Sequence, residues 1–446
     1  MKHLVVISID ALVYDDLEYA KSLPNFKYLI DNGAIIEKVK SVYPTVTHPV
    51  HASIMTGSPA GDTKVISNLL FDENKPNRKM RWFNNLNEVG CETIFHVAKR
   101  NGLKVCTSTW PLTSYGNDVI DYLVPNAMAE DFDGYNNKLD VFKALGAQDE
   151  IIDIIEKALD IYDYTANQAK LDLFQTFCTC EIIKKFKPDI IFTHPSNVDS
   201  TRHKTGVFSD KVLEAINGID NCLGMIIESL KEANIFESTD IVFLSDHGQL
   251  NITRTISPNI YLVDNGYITL DMNKETGKVD ISSWIAYCKS VGLSSHVYIN
   301  KNINNKEEIY HNLYNLLKKM ADAGIYGFNK VYTLNEVKDE YGLYGDFSFV
   351  LETDGYTSFG EYLVRPLVRE IDFSDYRYGK ATHGYAPYKG PQPTFVGAGP
   401  SFRKNVIIKE GSVLNHAPTF AYIMGLEMKE AKGKPVLEIL NNINKN

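Results

Sequence analysis

The sequence Asp240-Ile-Val-Phe-Leu-Ser-Asp-His-Gly248 joins a short apolar run to an aspartate, a histidine and a glycine. Such a run predicts a strand that is buried on both faces, as in a parallel sheet covered by helices. Two other segments repeat the pattern: residues 4–10 end in Asp10, and residues 189–194 end in His194. Because ligands of open α/β sheets collect beyond the carboxyl ends of the strands, we expect these polar residues to face one site.

A segment of different character continues from a predicted strand over residues 34–43: Tyr43-Pro-Thr-Val-Thr-His-Pro-Val-His-Ala-Ser-Ile-Met-Thr-Gly57. We interpret it as a loop that becomes a helix over about residues 49–56 and stops at Gly57. Thr47 lies at the junction and is the predicted nucleophile, which requires a base or a metal to take the hydroxyl proton. The alternative is that Thr47, or Thr45, only caps the helix.

Side chains that bind metals occur in four separate segments of the chain. Together with the Thr47 oxygen, the candidate ligands are Asp10, Thr47, Asp199, His203, Asp246, His247 and His383. Carboxylates and imidazoles in this number suffice for two four-coordinate sites with room for water or substrate. We therefore expect two divalent metal ions, with Zn²⁺ as the first choice and Mn or Fe as alternatives.

Length and charge narrow the class of protein. The chain has 446 residues, of which 44% are hydrophobic and 23% charged, and its formal net charge is −10. This length allows two or more domain-sized units, or one large core with insertions. The negative charge argues against binding of nucleic acid polymers, because no basic surplus displaces counterions. A small phosphate substrate held by metal remains compatible with it.

Cysteine usage and hydropathy bear on location. Six cysteines are scattered, mostly in apolar contexts, and we interpret them as buried free thiols of a reducing compartment. The apolar run at the N-terminus is short and ends in Asp10, unlike a signal peptide, and no run approaches the length of a membrane span. We expect a cytoplasmic protein that does not associate with membranes. The oligomeric state stays open, and a homodimer is one alternative.

The order of the predicted elements divides the chain into a core and two insertions. Residues 1–251 and 376–446 alternate strands and helices and form the predicted catalytic core. Residues from about 116 to 180 lack strong strand signals and have helical periodicity, which predicts a helical insertion. Residues 252–375 mix short strands with a helix over 306–323, and we expect a small α+β cap there.

These residues, in this order, resemble the alkaline phosphatase superfamily, and within it the nucleotide pyrophosphatase/phosphodiesterase (type I phosphodiesterase) branch. The motifs that match are Asp10 at a strand end, Thr47-x-Pro-x-His51, Asn68, the helix–strand unit ending in Trp110-Pro111, Asp199-x-x-x-His203, Ser245-Asp-His-Gly248 and Thr382-His-Gly-Tyr385. The resemblance covers most of residues 1–115, 180–250 and 376–446. It implies an alkaline-phosphatase-like α/β fold: a doubly wound, mostly parallel sheet with helices on both faces.

The resemblance also implies a metal assignment and a mechanism. One zinc would be held by Asp199, His203 and His383, and the other by Asp10, Asp246, His247 and the Thr47 oxygen. Members of the family attack phosphorus with the threonine oxygen and form a phospho-threonine, which water then hydrolyses. The Asn68 side chain and the backbone N–H near His48 would hold the equatorial oxygens of the phosphoryl group.

Candidate contacts to the substrate are His48, Asn68, Trp110, Tyr122 and His194, and Tyr115 is the alternative to Tyr122. His48 stands where nucleotide-binding members of the family usually carry an aromatic residue that stacks on a base. His48, His194 and Arg202 either reach the substrate or fill space. His51 is expected to support the loop of Thr47 rather than to bind metal.

The leading hypothesis is a phosphodiesterase or nucleotide pyrophosphatase that acts on a small nucleotide-like ester. A diester phosphoryl group carries a single charge, so the neutral Asn68 suffices, whereas a dianionic monoester usually attracts Arg or Lys; only Lys64 and Arg202 are candidates for that role. The alternatives on the same site are a phosphonoacetate hydrolase and a phosphomonoesterase. An inactive homologue that only binds phosphate esters is the non-enzyme alternative, and it would be expected to lack a ligand or the nucleophile.

Overall fold

The computed structural model describes residues 2–77, 81–162, 164, 167–272 and 279–442. Its strands are β1 (His3–Ser8), β2 (Gly33–Lys40), β3 (Val105–Ser108), β4 (Tyr122–Val124), β5 (Ile190–Thr193), β6 (Thr239–Leu244), β7 (Leu250–Asn251), β8 (Arg254–Ile256), β9 (Ile268–Met272), β10 (Val279–Trp284), β11 (Ala286–Ser290), β12 (Ser294–Ile299), β13 (Phe328–Thr333), β14 (Phe349–Thr353), β15 (Thr357–Phe359), β16 (Val368–Arg369), β17 (Ala381–Thr382), β18 (Phe395–Ala398) and β19 (Val406–Ser412). Its helices are α1 (Leu17–Ala20), α2 (Pro24–Asp31), α3 (Thr47–Thr56), α4 (Ala60–Thr63), α5 (Ile94–Arg100), α6 (Lys138–Ala144), α7 (Asp149–Tyr162), α8 (Gln168–Phe186), α9 (Asn197–Thr205), α10 (Asp210–Glu232), α11 (Pro258–Asp264), α12 (Lys306–Ala323), α13 (Leu334–Tyr341) and α14 (His416–Ile423).

A central sheet runs in the order β19-β2-β18-β6-β1-β5-β3-β4. Its pairs are parallel except for β18, which is antiparallel to β2 and β6. Alternate residues of β1 belong to two different core clusters, Val5 and Ile7 to one and Leu4 and Val6 to the other. Since successive side chains of a strand point to opposite faces, the sheet has a packed core on each face. The predicted α/β class is confirmed.

The predicted convergence of strand ends follows from this topology. The strands β6, β1 and β5 are neighbours and parallel, so their carboxyl ends meet at one edge. Asp10 follows β1, His194 follows β5, and Asp246 and His247 follow β6. These residues therefore start from adjacent backbone positions although the chain separates them widely.

The region 116–180 contains the predicted helices and one strand that the sequence pattern did not indicate. The helices α6, α7 and α8 pack onto one face of the sheet. The additional strand, β4, pairs in parallel with β3 at the edge of the central sheet. A strand of three residues is too short to show alternation, and neighbouring β3 supplies the pairing that decides it.

Between residues 252 and 375 lie smaller sheets with a core of their own. An antiparallel sheet has the order β11-β12-β14-β13, β9 pairs with β10, and β8 pairs with β15 and β16. The helix predicted over 306–323 is α12 (Lys306–Ala323). The division of the chain into domains stays a prediction.

Two features of the structure bear on the predicted cellular location: the state of the cysteines and the character of the helices. All six cysteines are free. In the ranges that the structure describes, helices that combine the length and the apolar character of a membrane span are absent. The cellular location stays a prediction.

Candidate active site

The predicted nucleophile is the first residue of α3, which begins two residues earlier than the sequence pattern indicated. Val46, in an extended conformation, occupies the capping position instead of Thr47. Thr47 Oγ1 lies 3.3 Å from Nε2 of His247. One turn along the helix, Nδ1 of His51 lies 2.7 Å from the carbonyl oxygen of Thr47. The Thr47 hydroxyl therefore faces the candidate metal ligand His247, and His51 contacts the backbone of Thr47 and lies 3.6 Å from Asp246 Oδ2.

One candidate metal group combines Asp199, His203 and His383. Asp199 and His203 lie one turn apart on α9, and His203 Nε2 is 3.1 Å from Asp199 Oδ2. His383 follows β17, and its Nε2 lies 3.8 Å from Asp199 Oδ1. One ligand atom from each residue lies within 4.8 Å of the others.

A second group combines Asp10, Asp199 and His247. His247 Nε2 lies 3.6 Å from Asp10 Oδ1 and 3.3 Å from Asp246 Oδ2. Asp246 uses its other oxygen, Oδ1, to accept the N–H groups of Ala11 (3.2 Å) and His247 (2.9 Å). Asp199 thus belongs to both groups, whereas the sequence assigned it to one.

Unpaired oxygens show that these residues fit cations. Among the described residues, Asp10 Oδ1 and Asp246 Oδ2 are buried and have no hydrogen-bond partner. A buried carboxylate oxygen without a hydrogen-bond partner destabilises the folded protein. Carboxylate oxygens are also ligands of divalent ions, which would remove this cost. The donor set of three carboxylates, three imidazoles and a hydroxyl is therefore suited to divalent ions.

The carboxylates influence one another strongly. Burial raises the pKa of Asp10 well above its ordinary value, and the negative charges of Asp199 and Asp246 add to the rise. Burial acts in the same direction on Asp199, but the imidazoles of His203 and His383 outweigh it and hold the pKa of Asp199 below its usual range.

Residues around the ligands fix their orientation. His203 Nδ1 donates to the carbonyl oxygen of Ala381 at 2.7 Å, and Nε2 is the ring nitrogen that faces Asp199. Gln249 Nε2 donates to Asp199 Oδ1 and to the Asp199 carbonyl oxygen at 3.1 Å. Such contacts hold ligands in the geometry that metals require. Gln249 was not predicted, because its only signal in the sequence is its place just after Asp246-His247-Gly248.

Asn68 and His48 are hydrogen-bonded to each other, whereas both were expected to bind the phosphoryl oxygens. The backbone N–H of His48 donates to Asn68 Oδ1 at 2.9 Å. This contact fixes Oδ1 towards His48 and leaves the Asn68 amide nitrogen as the donor for a substrate oxygen. The expectation that both groups face the phosphoryl oxygens is corrected for the His48 N–H, which is already bonded.

Trp110 and Tyr122 do not reach the site. The Trp110 side chain is fully buried, with its ring 4.7 Å from that of His51 and 4.8 Å from that of Phe192. Tyr122 lies on β4 and stacks on Phe186 with 4.5 Å between ring centroids. The sequence placed both as substrate contacts, and the structure uses both rings for packing instead. By contrast, His194 lines the cavity and its Nε2 lies 3.3 Å from Asp10 Oδ2.

A cavity of about 290 Å³ opens above these residues. Two of its aromatic walls were not predicted: the Trp82 ring lies 5.2 Å from His48, and Tyr376 stacks on His383 at 5.7 Å. Other walls come from the region of α8 and the loops near it, including Asn126, Met128, Tyr164, Gln168, Leu171 and Gln175. Trp82 is one of three tryptophans in the chain, but no spacing distinguishes it or Tyr376 in the sequence.

The cationic side chains considered for substrate binding lie elsewhere. Arg202 is fully buried and bonds to Asp16 and to the carbonyl oxygens of Ala11 and Val207. Lys64 lines a different cavity. Within the part of the chain that the structure describes, neither Lys nor Arg lines the cavity above the candidate ligands.

Comparisons with known proteins show the family to which the chain belongs. Residues 4–386 match the family model for type I phosphodiesterase / nucleotide pyrophosphatase. Venom phosphodiesterase 2 of Crotalus adamanteus is 26% identical over 260 residues, which are 56% of this chain and 27% of that protein. Ectonucleotide pyrophosphatase/phosphodiesterase family member 1 of Homo sapiens is 26% identical over 254 residues, which are 54% of this chain and 23% of that protein. The matched part thus spans about a quarter of the length of these relatives.

Two solved structures share the fold. Human ectonucleotide pyrophosphatase / phosphodiesterase 5 superimposes with a TM-score of 0.66 and 19% identity, covering 99% of this chain and 100% of that chain. The inactive murine enzyme of the same name, in complex with AMP, gives a TM-score of 0.65 and 18% identity with the same coverage. At this identity the likeness establishes the fold.

Proposed function

Because the chain belongs to the type I phosphodiesterase / nucleotide pyrophosphatase family, we propose that it hydrolyses a phosphodiester or phosphoanhydride in a metal-dependent reaction. The observation that carries the proposal is the place of Thr47: its hydroxyl lies 3.3 Å from His247 Nε2, beside both candidate metal groups and at the wall of the cavity. A nucleophile needs a base or a metal within reach, and this threonine has candidate ligands for one.

Two Zn²⁺ ions are the proposed cofactors. Of the seven residues expected to hold them, five line the cavity: Asp10, Thr47, Asp199, His203 and His383. His247 contacts Thr47, Asp10 and Asp246. Asp199, His203 and His383 would hold one ion, and Asp10, Asp246, His247 and Thr47 the other. When bound, two such ions lower the pKa of a coordinated hydroxyl and stabilise the attacking and leaving oxygens. Since Asp199 contributes to both groups, its charge would be shared between the two sites.

The proposed reaction passes through a phospho-threonine on Thr47. The Thr47 oxygen forms a bond to phosphorus as the bond from phosphorus to the leaving oxygen breaks, and the departing alcohol takes up the proton that the hydroxyl gives up. Water then attacks the same phosphorus and releases Thr47 with its hydroxyl restored. In the proposed reaction the Asn68 amide nitrogen holds a phosphoryl oxygen during both steps, since the amide oxygen already accepts the His48 N–H.

The charge of the cavity favours a diester over the other substrates. A monoester dianion and the carboxylate of phosphonoacetate both call for a cationic clamp. In the described residues, the cavity wall contains only imidazoles as basic groups, and Arg202 is used inside the core. The murine relative bound to AMP and the aromatic rings of Trp82 and Tyr376 support a nucleotide-like substrate. An inactive binding homologue is disfavoured because the nucleophile and every candidate ligand are retained.

A substrate panel tests the proposal. Purified protein loaded with Zn²⁺ is assayed with bis-p-nitrophenyl phosphate, p-nitrophenyl phosphate and phosphonoacetate at equal concentrations. We expect the diester to be turned over fastest by kcat/KM. Faster cleavage of the monoester would favour a phosphomonoesterase, release of phosphate from phosphonoacetate would favour the phosphonate hydrolase, and tight AMP binding without turnover of any of them would favour the inactive homologue.

A cytoplasmic location is a separate proposal, supported by the six free cysteines, five of which are buried. Fractionation of the native host would test it, and recovery of the protein mainly outside the cell would refute it.

A further inference from the structure

A fully buried carboxylate lies where the region 252–375 meets the active site. Glu352 is on β14, a central strand of the sheet β11-β12-β14-β13, and is 0% exposed. Its neighbours on the strand, Phe349 and Leu351, pack into the core that α12 covers. Because side chains alternate along a strand, Val350 and Glu352 point to the opposite face, where Val350 packs in a cluster with Tyr43 and Ala386.

The two oxygens of Glu352 contact two different segments of the core. Oε2 accepts the hydroxyl of Tyr43 at 2.7 Å. Oε1 accepts the N–H of Ala386 at 3.1 Å and pairs with Lys389 Nζ at 2.9 Å. A single side chain of the region 252–375 thus joins two stretches that are more than 300 residues apart in the chain.

Both stretches lead directly to predicted site residues. Tyr43 begins the segment that ends at Thr47, and Ala386 closes the loop that starts at His383. The two segments also contact each other: Thr45 Oγ1 donates to the carbonyl oxygen of Tyr385 at 2.8 Å, and the Gly384 N–H donates to the carbonyl oxygen of Thr45 at 3.0 Å. Glu352 therefore closes a bonded ring that includes the nucleophile segment and the His383 loop.

The turn before β12 holds the same loop from another side. The Leu293 N–H donates to the His383 carbonyl oxygen at 2.9 Å. Gly384 has φ +102°, and a Cβ there would lie 1.9 Å from the carbonyl oxygen of Val291. Only glycine permits this approach, so the backbone beside His383 is fixed against the region 252–375.

Stability alone does not account for a charge in this position. A buried ion pair usually returns little net stability compared with apolar residues of the same volume, because both ions lose their hydration. Burial is also the main reason that the pKa of Glu352 is raised, against the opposing effects of Lys389, Tyr43 and Ala386. What the carboxylate provides, and an apolar side chain would not, is directional attachment to both segments.

We propose that Glu352 is a positioning residue, which fastens the segment of Thr47 to the loop of His383 and thereby sets the nucleophile relative to the metal ligands. The proposal rests on the hydrolase function proposed above, but its first test requires no turnover. Glu352 touches neither the cavity nor the candidate ligands, so its effect is transmitted through the two segments.

Three variants isolate the attachment, and one provides a matched control. Tyr43→Phe removes one hydrogen bond and keeps the ring that packs on Tyr341. Glu352→Ala removes all of the bonds, whereas Glu352→Gln can keep them because Tyr43 can accept from the amide. The control is Asn259→Ala, which removes two buried hydrogen bonds to Cys288 inside the region 252–375 and away from both segments.

Hydrogen exchange of the full-length proteins, with Zn²⁺ and without substrate, is the first measurement. We expect faster exchange in peptides covering 43–50 and 381–388 in Tyr43→Phe and Glu352→Ala, but neither in Glu352→Gln nor in Asn259→Ala. Wild-type exchange in both peptides of folded Tyr43→Phe would overturn the proposal, even if Glu352→Ala fails to fold. Equal loosening of both peptides in Asn259→Ala would overturn it too, since general destabilisation would then explain the effect.

Turnover of bis-p-nitrophenyl phosphate is the second measurement. In folded Glu352→Ala we expect kcat to fall at least about tenfold with KM and bound zinc unchanged, because displacement of a reacting group by a fraction of an ångström lowers the rate in this way. Glu352→Gln should stay within about threefold of wild type. Unchanged kcat in both Tyr43→Phe and Glu352→Ala would refute the catalytic part. The two proposals can also fail separately. If the wild-type protein has no turnover but the peptides 43–50 and 381–388 of the variants exchange as expected, the hydrolase function is refuted and the attachment by Glu352 is supported.

Discussion

Thr47 Oγ1 lies 3.3 Å from Nε2 of His247, a residue 200 positions further along the chain. The first belongs to the start of α3 and the second follows β6, so two unrelated local structures bring the hydroxyl and the imidazole together. Because this hydroxyl is the proposed nucleophile, a substitution of Thr47 tests the mechanism most directly.

Replacing the Thr47 hydroxyl tests the covalent mechanism. Thr47→Ala removes the oxygen and should lower kcat by at least about 10³-fold, as loss of a nucleophile does in other covalent enzymes. Thr47→Ser keeps the oxygen, so its kcat should stay within about 10²-fold of wild type. Steady-state kinetics on bis-p-nitrophenyl phosphate measure both, and a zinc assay of each variant is the control. Wild-type activity in Thr47→Ala would end the phospho-threonine mechanism.

The position of Asp199 in both ligand groups predicts unequal effects of two single substitutions. Asp199→Asn should reduce the zinc bound at both groups, because it removes the shared charge. His203→Ala should mainly affect the group formed by Asp199, His203 and His383. Elemental analysis after dialysis against micromolar Zn²⁺ gives the stoichiometry. Loss of the same amount of metal in the two variants would contradict a shared ligand.

Arg202 should be a structural residue, since its guanidinium is fully buried and pairs with Asp16. Arg202→Met leaves the Asp16 carboxylate buried without its partner and should lower the free energy of unfolding by about 3–5 kcal/mol. At temperatures where the variant is folded, KM should be unchanged because Arg202 does not line the cavity. Urea denaturation and kinetics measure the two quantities.

The exposed pair of Lys27 and Asp31 supplies the control for that experiment. Lys27→Met should leave the free energy of unfolding almost unchanged, because pairs open to water contribute little. A comparable loss in both variants would mean that the burial of Arg202 is not the cause.

Asp172 predicts a pH dependence of stability. Its carboxylate is buried, accepts the N–H groups of Ser196 (2.9 Å) and Asn197 (3.0 Å), and has its pKa raised by burial to about 7. In the unfolded chain the carboxyl ionises near its ordinary value of 3.8, so between these values the folded state binds more protons than the unfolded state. Stability should therefore fall as pH rises across this window, by up to about 1.4 kcal/mol per pH unit from this group.

Asp172→Asn removes the ionisation and provides the comparison. The difference in free energy of unfolding between wild type and Asp172→Asn should shift in favour of the variant from pH 4 to pH 7 and stay constant above that. Urea denaturation at several pH values measures it. A difference that does not change with pH would show that Asp172 ionises normally in the folded protein.

Local sequence patterns determined the fold class and the kinds of residue at the site. Buried strands such as β1 and β6 are recognisable in the sequence as apolar runs. Because these strands are parallel neighbours, Asp10 and Asp246 lie at the same edge of the sheet. The helix α9 places Asp199 and His203 four residues apart on one face, which is also a local property. These features depend only on the periodicity of strands and helices and on the chemistry of each side chain.

The tertiary structure decided how side chains are oriented and which distant segments of the chain contact each other. The three-residue strand β4, the fully buried ring of Trp110 and the walls formed by Trp82 and Tyr376 have no period that predicts them. The bond from His48 to Asn68 likewise depends on where a loop 20 residues away returns.

By itself, therefore, the sequence indicated which polar residues end buried strands and which side chains are of a kind that can hold a metal, but it started α3 two residues too late. Only the folded chain decided that Asp199 is shared by two groups and that Glu352 joins the segments of Thr47 and His383. The physical reason is that backbone periodicity is set by near neighbours, whereas the rotation of a side chain and its partner are set by packing against residues that only the fold brings close.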